Sequence, residues 1–149
     1  MRAKGVKEIR ALFRERGLRC TRQRERIYRA LAATKDHPTA EELLTLVERR
    51  AGDESMSLAT VYNTLEVFLE QGLVRRFSSA GRAAGPSPAR YDADVSDHAH
   101  LIEADGTVRD LPEDLSRRVM DRLGPELVAE LERRMGVRVK GVEVHVRGE

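Results

Sequence analysis

Residues 57–77 read SLATVYNTLEVFLEQGLVRRF, and a change of period inside them decides the fold. Leu58, Val61, Leu65, Phe68 and Leu69 recur at helical spacing. Ser57 is placed to cap that helix and Gly72 to end it. LVRRF then reads as a short strand, and ARYD at residues 89–92 reads as a second. Between them SSAGRAAGPSP, residues 78–88, is rich in Gly, Ser, Ala and Pro and reads as a loop. A helix running into such a hairpin is the closing part of a winged helix-turn-helix, provided further helices come before it.

They do. Ile9, Leu12 and Phe13 mark a first helix over 6–16, which Gly17 stops. Thr21 can cap a second through about Ala33, with Ile27, Leu31 and Tyr28 turned inward. Thr39 and Glu42 form a capping box that opens a third, with Leu43, Leu44 and Val47 as its apolar stripe. Cys20, beside the Thr21 cap, reads as a small core residue rather than a redox sensor.

Beyond residue 92 the pattern is mixed. HAHLIE and TVRDL flank Ala104-Asp105-Gly106 and read as a hairpin. Pro112 starts a helix to about Leu123, Gly124-Pro125 breaks it, and another runs to Met135. VRVKGVEVHV, residues 137–146, alternates like a last strand. The chain is therefore read as α+β: a winged-helix DNA-binding domain over 1–92, and a small α/β domain over 93–149. The second part is too small to bury much core alone, and pairing with a second copy answers that need.

Charge divides the same way. Residues 1–92 hold 18 Lys+Arg and 12 Asp+Glu, whereas residues 93–149 hold 9 and 13. A basic first half on a chain of net charge +2 suggests a polyanionic partner for that half. No run approaches the ~18 apolar residues of a membrane span, and the charged N-terminus lacks a signal-peptide core. A cytoplasmic protein is expected. One cysteine excludes an intramolecular disulfide and a Cys-rich zinc knuckle.

The fourth helix begins with Ser57, Ala59, Thr60, Tyr62 and Asn63, and no acid. Asparagine can bond adenine through both amide atoms, Ala or Thr can touch a thymine methyl, and Tyr can reach a phosphate. A helix start exposed only to water more often carries Asp or Glu, which suit its dipole.

Residues 90–100, RYDADVSDHAH, pose a different question. On a strand His98 and His100 share a face, because side chains alternate with period two. If the hairpin loop is the three residues 104–106, Asp110 stands opposite His100. A two-residue loop turns Asp110 to the other face. Asp92 at the end of the wing and His37 in its loop before Pro38 can join this set. Imidazoles and carboxylates without thiolate suit Fe(II), Mn(II), Zn(II) or Co(II). The plain alternative is a solvated strand that binds nothing. His145, on the last strand, shows no obvious partner and reads as a structural or surface residue.

These pieces together resemble the ferric uptake regulator family of metal-dependent bacterial repressors. The matching stretches are GLRCTRQRERIYRAL (17–31), HPTAEEL (37–43), residues 57–77, ARYD, DHAHLIEADGTVRDL (97–111) and VEVHVRG (142–148). The resemblance implies a winged helix, a dimerisation domain, a DNA operator as partner, a homodimer, and a regulatory metal between the two parts. It is greatest to the peroxide-responsive branch, whose regulatory site of three His and two Asp falls here on His37, Asp92, His98, His100 and Asp110. Asn63 also looks like that branch, since iron-uptake regulators often carry Arg there. By the same resemblance, Fe(II) or Mn(II) occupies the site (Zn(II) in a purified sample), and peroxide oxidises His37 and His98. Arg19 and Arg22 are expected on phosphates.

The sequence departs from the family in two places. The two CxxC pairs that usually form a structural Cys₄ zinc site are absent, so no structural zinc is expected. HLIEADGTVRD is one residue shorter than usual, which bears on the register of Asp110. Three other readings remain open: a repressor responding to the level of iron, manganese or zinc, a non-haem iron enzyme, and a metal-independent winged helix. The absence of a spare general base beside the site speaks against the enzyme.

Overall fold

The computed structural model describes residues 5–51, 55–77 and 88–148. The described residues form two compact units, one ending at Val95 and the other beginning at Ser96.

In the first unit α1 (Val6–Glu15), α2 (Arg22–Ala32), α3 (Ala40–Ala51) and α4 (Leu58–Glu70) precede the hairpin of β1 (Arg75–Phe77) and β2 (Arg90–Asp92). Local chemistry sets the ends. The Thr21 hydroxyl accepts the Arg24 N–H at 3.3 Å, and the Ser57 hydroxyl accepts the Thr60 N–H at 3.1 Å. At α3 the capping box closes both ways: Thr39 N–H donates to Glu42 at 2.9 Å, and Glu42 N–H donates to the Thr39 hydroxyl at 3.2 Å. Gly17 and Gly72, at φ +65° and +62°, take the left-handed turns that end α1 and α4.

The apolar stripes of these helices meet in one core, where Ile9, Phe13, Ile27, Leu43, Val61, Leu65 and Phe68 are fully buried. Phe13, Tyr28 and Phe68 meet there with ring centroids 5.5–5.6 Å apart. The strands pair antiparallel, with Arg75 opposite Asp92 and Phe77 opposite Arg90. The four helices and hairpin are the winged helix expected from residues 57–77. Of the wing loop over 78–88, residues 78–87 lie outside the described residues. Cys20 corrects its reading as a core residue: it is exposed, with Sγ 3.9 Å from Glu25. It lies in the connection between α1 and α2, where no helix face turns it inward.

In the second unit β3 (Ala99–Ile102), β4 (Val108–Asp110) and β5 (Val144–Arg147) form a sheet in the order β4-β3-β5. Helices α5 (Glu113–Asp121) and α6 (Pro125–Met135) lie between β4 and β5 in sequence. Helix α5 is tied to the sheet where the Ala99 N–H donates to the buried Ser116 hydroxyl at 2.9 Å. Strand β5 is shorter than the stretch 137–146 that alternates in sequence. Its parallel partner β3 has only four residues, and all four are paired with β5. Without a partner, alternation alone makes no strand.

The β3–β4 loop decides where Asp110 points. Gly106 N–H donates to Glu103 O at 2.9 Å, and Glu103 N–H to Thr107 O at 2.9 Å. The loop is thus 104–106, with Gly106 at φ +85°. His100 stands opposite Asp110. Gly106→Val forces a branched side chain into that left-handed region, at a cost of about 1–2 kcal/mol. We expect urea unfolding of the variant to show a loss of that size, because the β3–β4 register no longer has its turn.

Candidate metal half-sites and the reading helix

His37 is 2% exposed and the one non-glycine residue of positive φ among those described, at +38°. Such a backbone costs about 1–3 kcal/mol and persists only where its surroundings hold it. Here they do. The buried Phe77 ring packs on the imidazole at 5.6 Å between centroids. The Tyr91 N–H donates to Pro38 O, and Arg90 Nη1 to His37 O, both at 3.1 Å. The buried Asp92 carboxylate, on the same strand as Arg90, lies with Oδ1 3.7 Å from His37 Nδ1. The first unit therefore carries one imidazole and one carboxylate side by side.

The second unit carries a fuller set. One ligand atom from each of His98, His100 and Asp110 lies within 4.8 Å of the others. Asp110 Oδ1 is 3.1 Å from His98 Nε2 and 3.5 Å from His100 Nε2. His100 is fully buried, and the His98 and His100 rings are 4.3 Å apart. His98 Nδ1 lies 2.7 Å from the Ser96 carbonyl. A carbonyl only accepts, so Nδ1 carries the proton. In neutral His98 the Nε2 lone pair then faces a carboxylate oxygen, which is repulsive. A cation or an added proton between them makes the contact favourable. This donor set fits Fe(II), Mn(II), Zn(II) or Co(II), as its nitrogen and oxygen chemistry requires.

His145, expected to have no partner, stands opposite His100 in the parallel pair, with ring centroids 5.8 Å apart. Its Nε2 is 3.6 Å from Glu143. Parallel pairing of β5 with β3 brings it there, which alternation along β5 alone does not reveal.

On α4 the side chains of Ala59, Tyr62 and Asn63 are exposed, whereas Val61, Thr64 and Leu65 are buried. Ser57 serves as the N-cap, and its hydroxyl lies 2.8 Å from that of the half-buried Thr60. The Tyr62 hydroxyl donates to Glu41 Oε1 at 2.9 Å. This bond raises the Tyr62 pKa above its ordinary value. The Glu41 carboxyl is lowered, first by its own backbone N–H and then by Tyr62. Glu41 therefore fixes the phenol, a role that the helix pattern of α3 did not single out. Arg19 and Arg22 are exposed beside the α2 N-terminus.

A winged-helix unit and a small α/β unit, each bearing clustered His and Asp donors, define the class. A profile of the ferric uptake regulator family matches residues 15–134, and the chain belongs to that family. It is 38% identical over 102 residues to the peroxide operon regulator of Bacillus subtilis, covering 68% of this chain and 66% of that protein. The match thus takes in just under two thirds of that relative's length. It is 34% identical over 123 residues to the ferric uptake regulation protein of Brucella abortus, covering 80% of this chain and 81% of that protein. Among solved structures, the ferric uptake regulator of Pseudomonas aeruginosa with manganese superposes with a TM-score of 0.66 at 27% identity. That match covers 94% of this chain and 97% of the other. Among the described residues, no helix is long and apolar enough to cross a membrane.

Proposed function

We propose that this protein is a dimeric, metal-dependent transcriptional repressor that senses hydrogen peroxide. His37, Asp92, His98, His100 and Asp110 serve one regulatory ion. The observation that carries the reading is the second unit's half-site, where one carboxylate oxygen faces two imidazole Nε2 atoms. Three donors fall short of the six positions that Fe(II) or Mn(II) commonly fills, and His37 with Asp92 adds two more. The likeness to a manganese-bearing relative supports the choice of metal.

An ion held by donors of both units would select one arrangement of the chain over others, and that selection would raise operator affinity. Held by these residues, Fe(II) would supply the chemistry that splits hydrogen peroxide, lending an electron that the oxidised ring returns, and Mn(II) would do so poorly. His37 and His98 then take the damage. One peroxide oxygen is inserted into the C–H bond between the two ring nitrogens and the other leaves as water, so the two-electron oxidation of the ring matches the reduction of one peroxide. The oxidised ring is a poor ligand, so the selected arrangement is lost and repression ends. The protein's role is control of transcription rather than turnover of a substrate.

The DNA-facing surface follows from α4. Ala59, Thr60, Tyr62 and Asn63 meet bases or the adjoining backbone, and Ser57, Arg19 and Arg22 hold phosphates. Asn63→Arg is expected to change the preferred operator by about 1–3 kcal/mol between competing sites, with little change in affinity for random DNA. Selection from a randomised operator pool measures this. Equal weakening at all sites removes the base-reading role. A second copy is supported by α6, which buries no residue and exposes Leu127, Leu131 and Met135 along one stripe. The second unit is the dimerisation part in this reading.

Operator binding by the apo, Mn(II) and Fe(II) forms, before and after peroxide, tests the whole. Peptide mass spectrometry follows on each sample. Binding that needs metal, and that is lost together with one oxygen added to His37 or His98, supports peroxide sensing. The longer match to a ferric uptake regulation protein favours one other reading, a repressor of metal level. Metal-dependent binding that survives peroxide with intact His residues selects it.

A further inference from the structure

Arg90 is not among the ligands, yet its side chain bonds both the His37 carbonyl and the carboxylate that caps the helix after it. Its side chain is 13% exposed. A single nitrogen, Nη1, donates to the His37 carbonyl at 3.1 Å and to Glu42 Oε2 at 3.1 Å. That same Glu42 oxygen accepts the Thr39 N–H at 2.9 Å. The guanidinium thus pins the peptide plane between His37 and Pro38 from one side and the capping box two residues later from the other. Opposite Arg90 in the hairpin, Phe77 packs on the His37 ring.

An ion pair with the half-exposed Glu42 contributes little by itself. The bond to the His37 carbonyl differs, because it acts on a backbone held at φ +38°. A ligand on a strained backbone keeps its aim only while its outer contacts persist. Asp92 lies two residues along the same strand, so one segment supplies a ligand and supports the other.

We propose that Arg90 is the positioning residue of the first half-site: its Nη1, bridging the His37 carbonyl and Glu42, aims the His37 imidazole at the metal. The proposal rests on the metal reading given above. It predicts that charge and a hydrogen-bond donor at this position, rather than bulk, set metal affinity.

The test uses the full chain with Mn(II) as the probe, which avoids oxidation. Mn(II) affinity and apo melting temperature are measured for the wild type, Arg90→Met and Arg90→Lys. Arg90→Met is expected to lower Mn(II) affinity by about 10- to 100-fold, as loss of an outer-shell partner does. Arg90→Lys can make both bonds from its one nitrogen and is expected to recover most of that loss. Should Arg90→Met not fold, Arg90→Gln, which is polar but too short to bridge, carries the same expectation. Wild-type affinity in Arg90→Met overturns the proposal. So does an equal loss in the Lys and Met variants with no recovery. A wild-type chain that binds no Mn(II) removes the metal reading itself, whereas strong wild-type binding unmoved by Arg90→Met removes this proposal alone.

Discussion

Asp110→Asn is expected to lower Mn(II) affinity by more than about 100-fold and to abolish metal-dependent operator binding while leaving the apo protein folded. A first-coordination ligand costs more to lose than the 10- to 100-fold of an outer partner. The substitution preserves shape, so β3 and β4 keep their pairing. It removes the negative charge that His98 and His100 face at 3.1 and 3.5 Å. The introduced amide can donate to His98 Nε2, whose other nitrogen already gives its proton to Ser96 O. The lone-pair conflict of the metal-free site is thereby relieved, and apo stability holds or rises. Calorimetric titration with Mn(II) and a thermal melt of the apo form separate the two effects. Unchanged Mn(II) affinity takes Asp110 out of the ligand set. A collapse of apo stability makes it a structural residue instead.

Phe68→Ala is expected to destabilise the first unit by about 3–5 kcal/mol, the cost of a truncated buried aromatic and the cavity it leaves. Phe68 is fully buried and its ring contacts both Phe13 and Tyr28. The sequence has three Phe, three Tyr and no Trp. The rings beside it, Phe13 and Tyr28, are themselves buried in the same core, and moving either one to fill the space opens another gap. Typical domains are stable by only about 5–15 kcal/mol, so the fold, and operator binding with it, is expected to fail at moderate temperature even with metal added. That distinguishes it from Asp110→Asn, whose defect is confined to the metal-dependent part. A guanidinium melt followed by circular dichroism gives the magnitude. A loss under about 1 kcal/mol would mean that the cavity collapses and that this core is more plastic than its burial implies.

The helices were legible because their signals are local. Thr21, Thr39 and Ser57 cap through their own side chains, and the positive-φ glycines close the ends. The alternation of His98 and His100 likewise needs only the geometry of a strand. The wing followed from the break in period after Gly72. Less visible were features that depend on a partner strand. Alternation over 137–146 overstated β5, whose length is set by β3. Cys20 read as core because its residue type is usually buried, but its place in a connection leaves it exposed.

Residue type and spacing alone determined that this chain has a winged helix and a small α/β part, and which side chains carry nitrogen and oxygen donors. Those facts are written in periodicity and capping, which act over a few residues. Tertiary structure decided the rest: that Asp110 faces His100, that His145 stands beside it, that Glu41 holds Tyr62, and that Arg90 grips the His37 carbonyl. Each of these contacts joins residues separated by a turn, a crossover or dozens of positions. Strand register and helix packing fix such distances, and no local pattern encodes them.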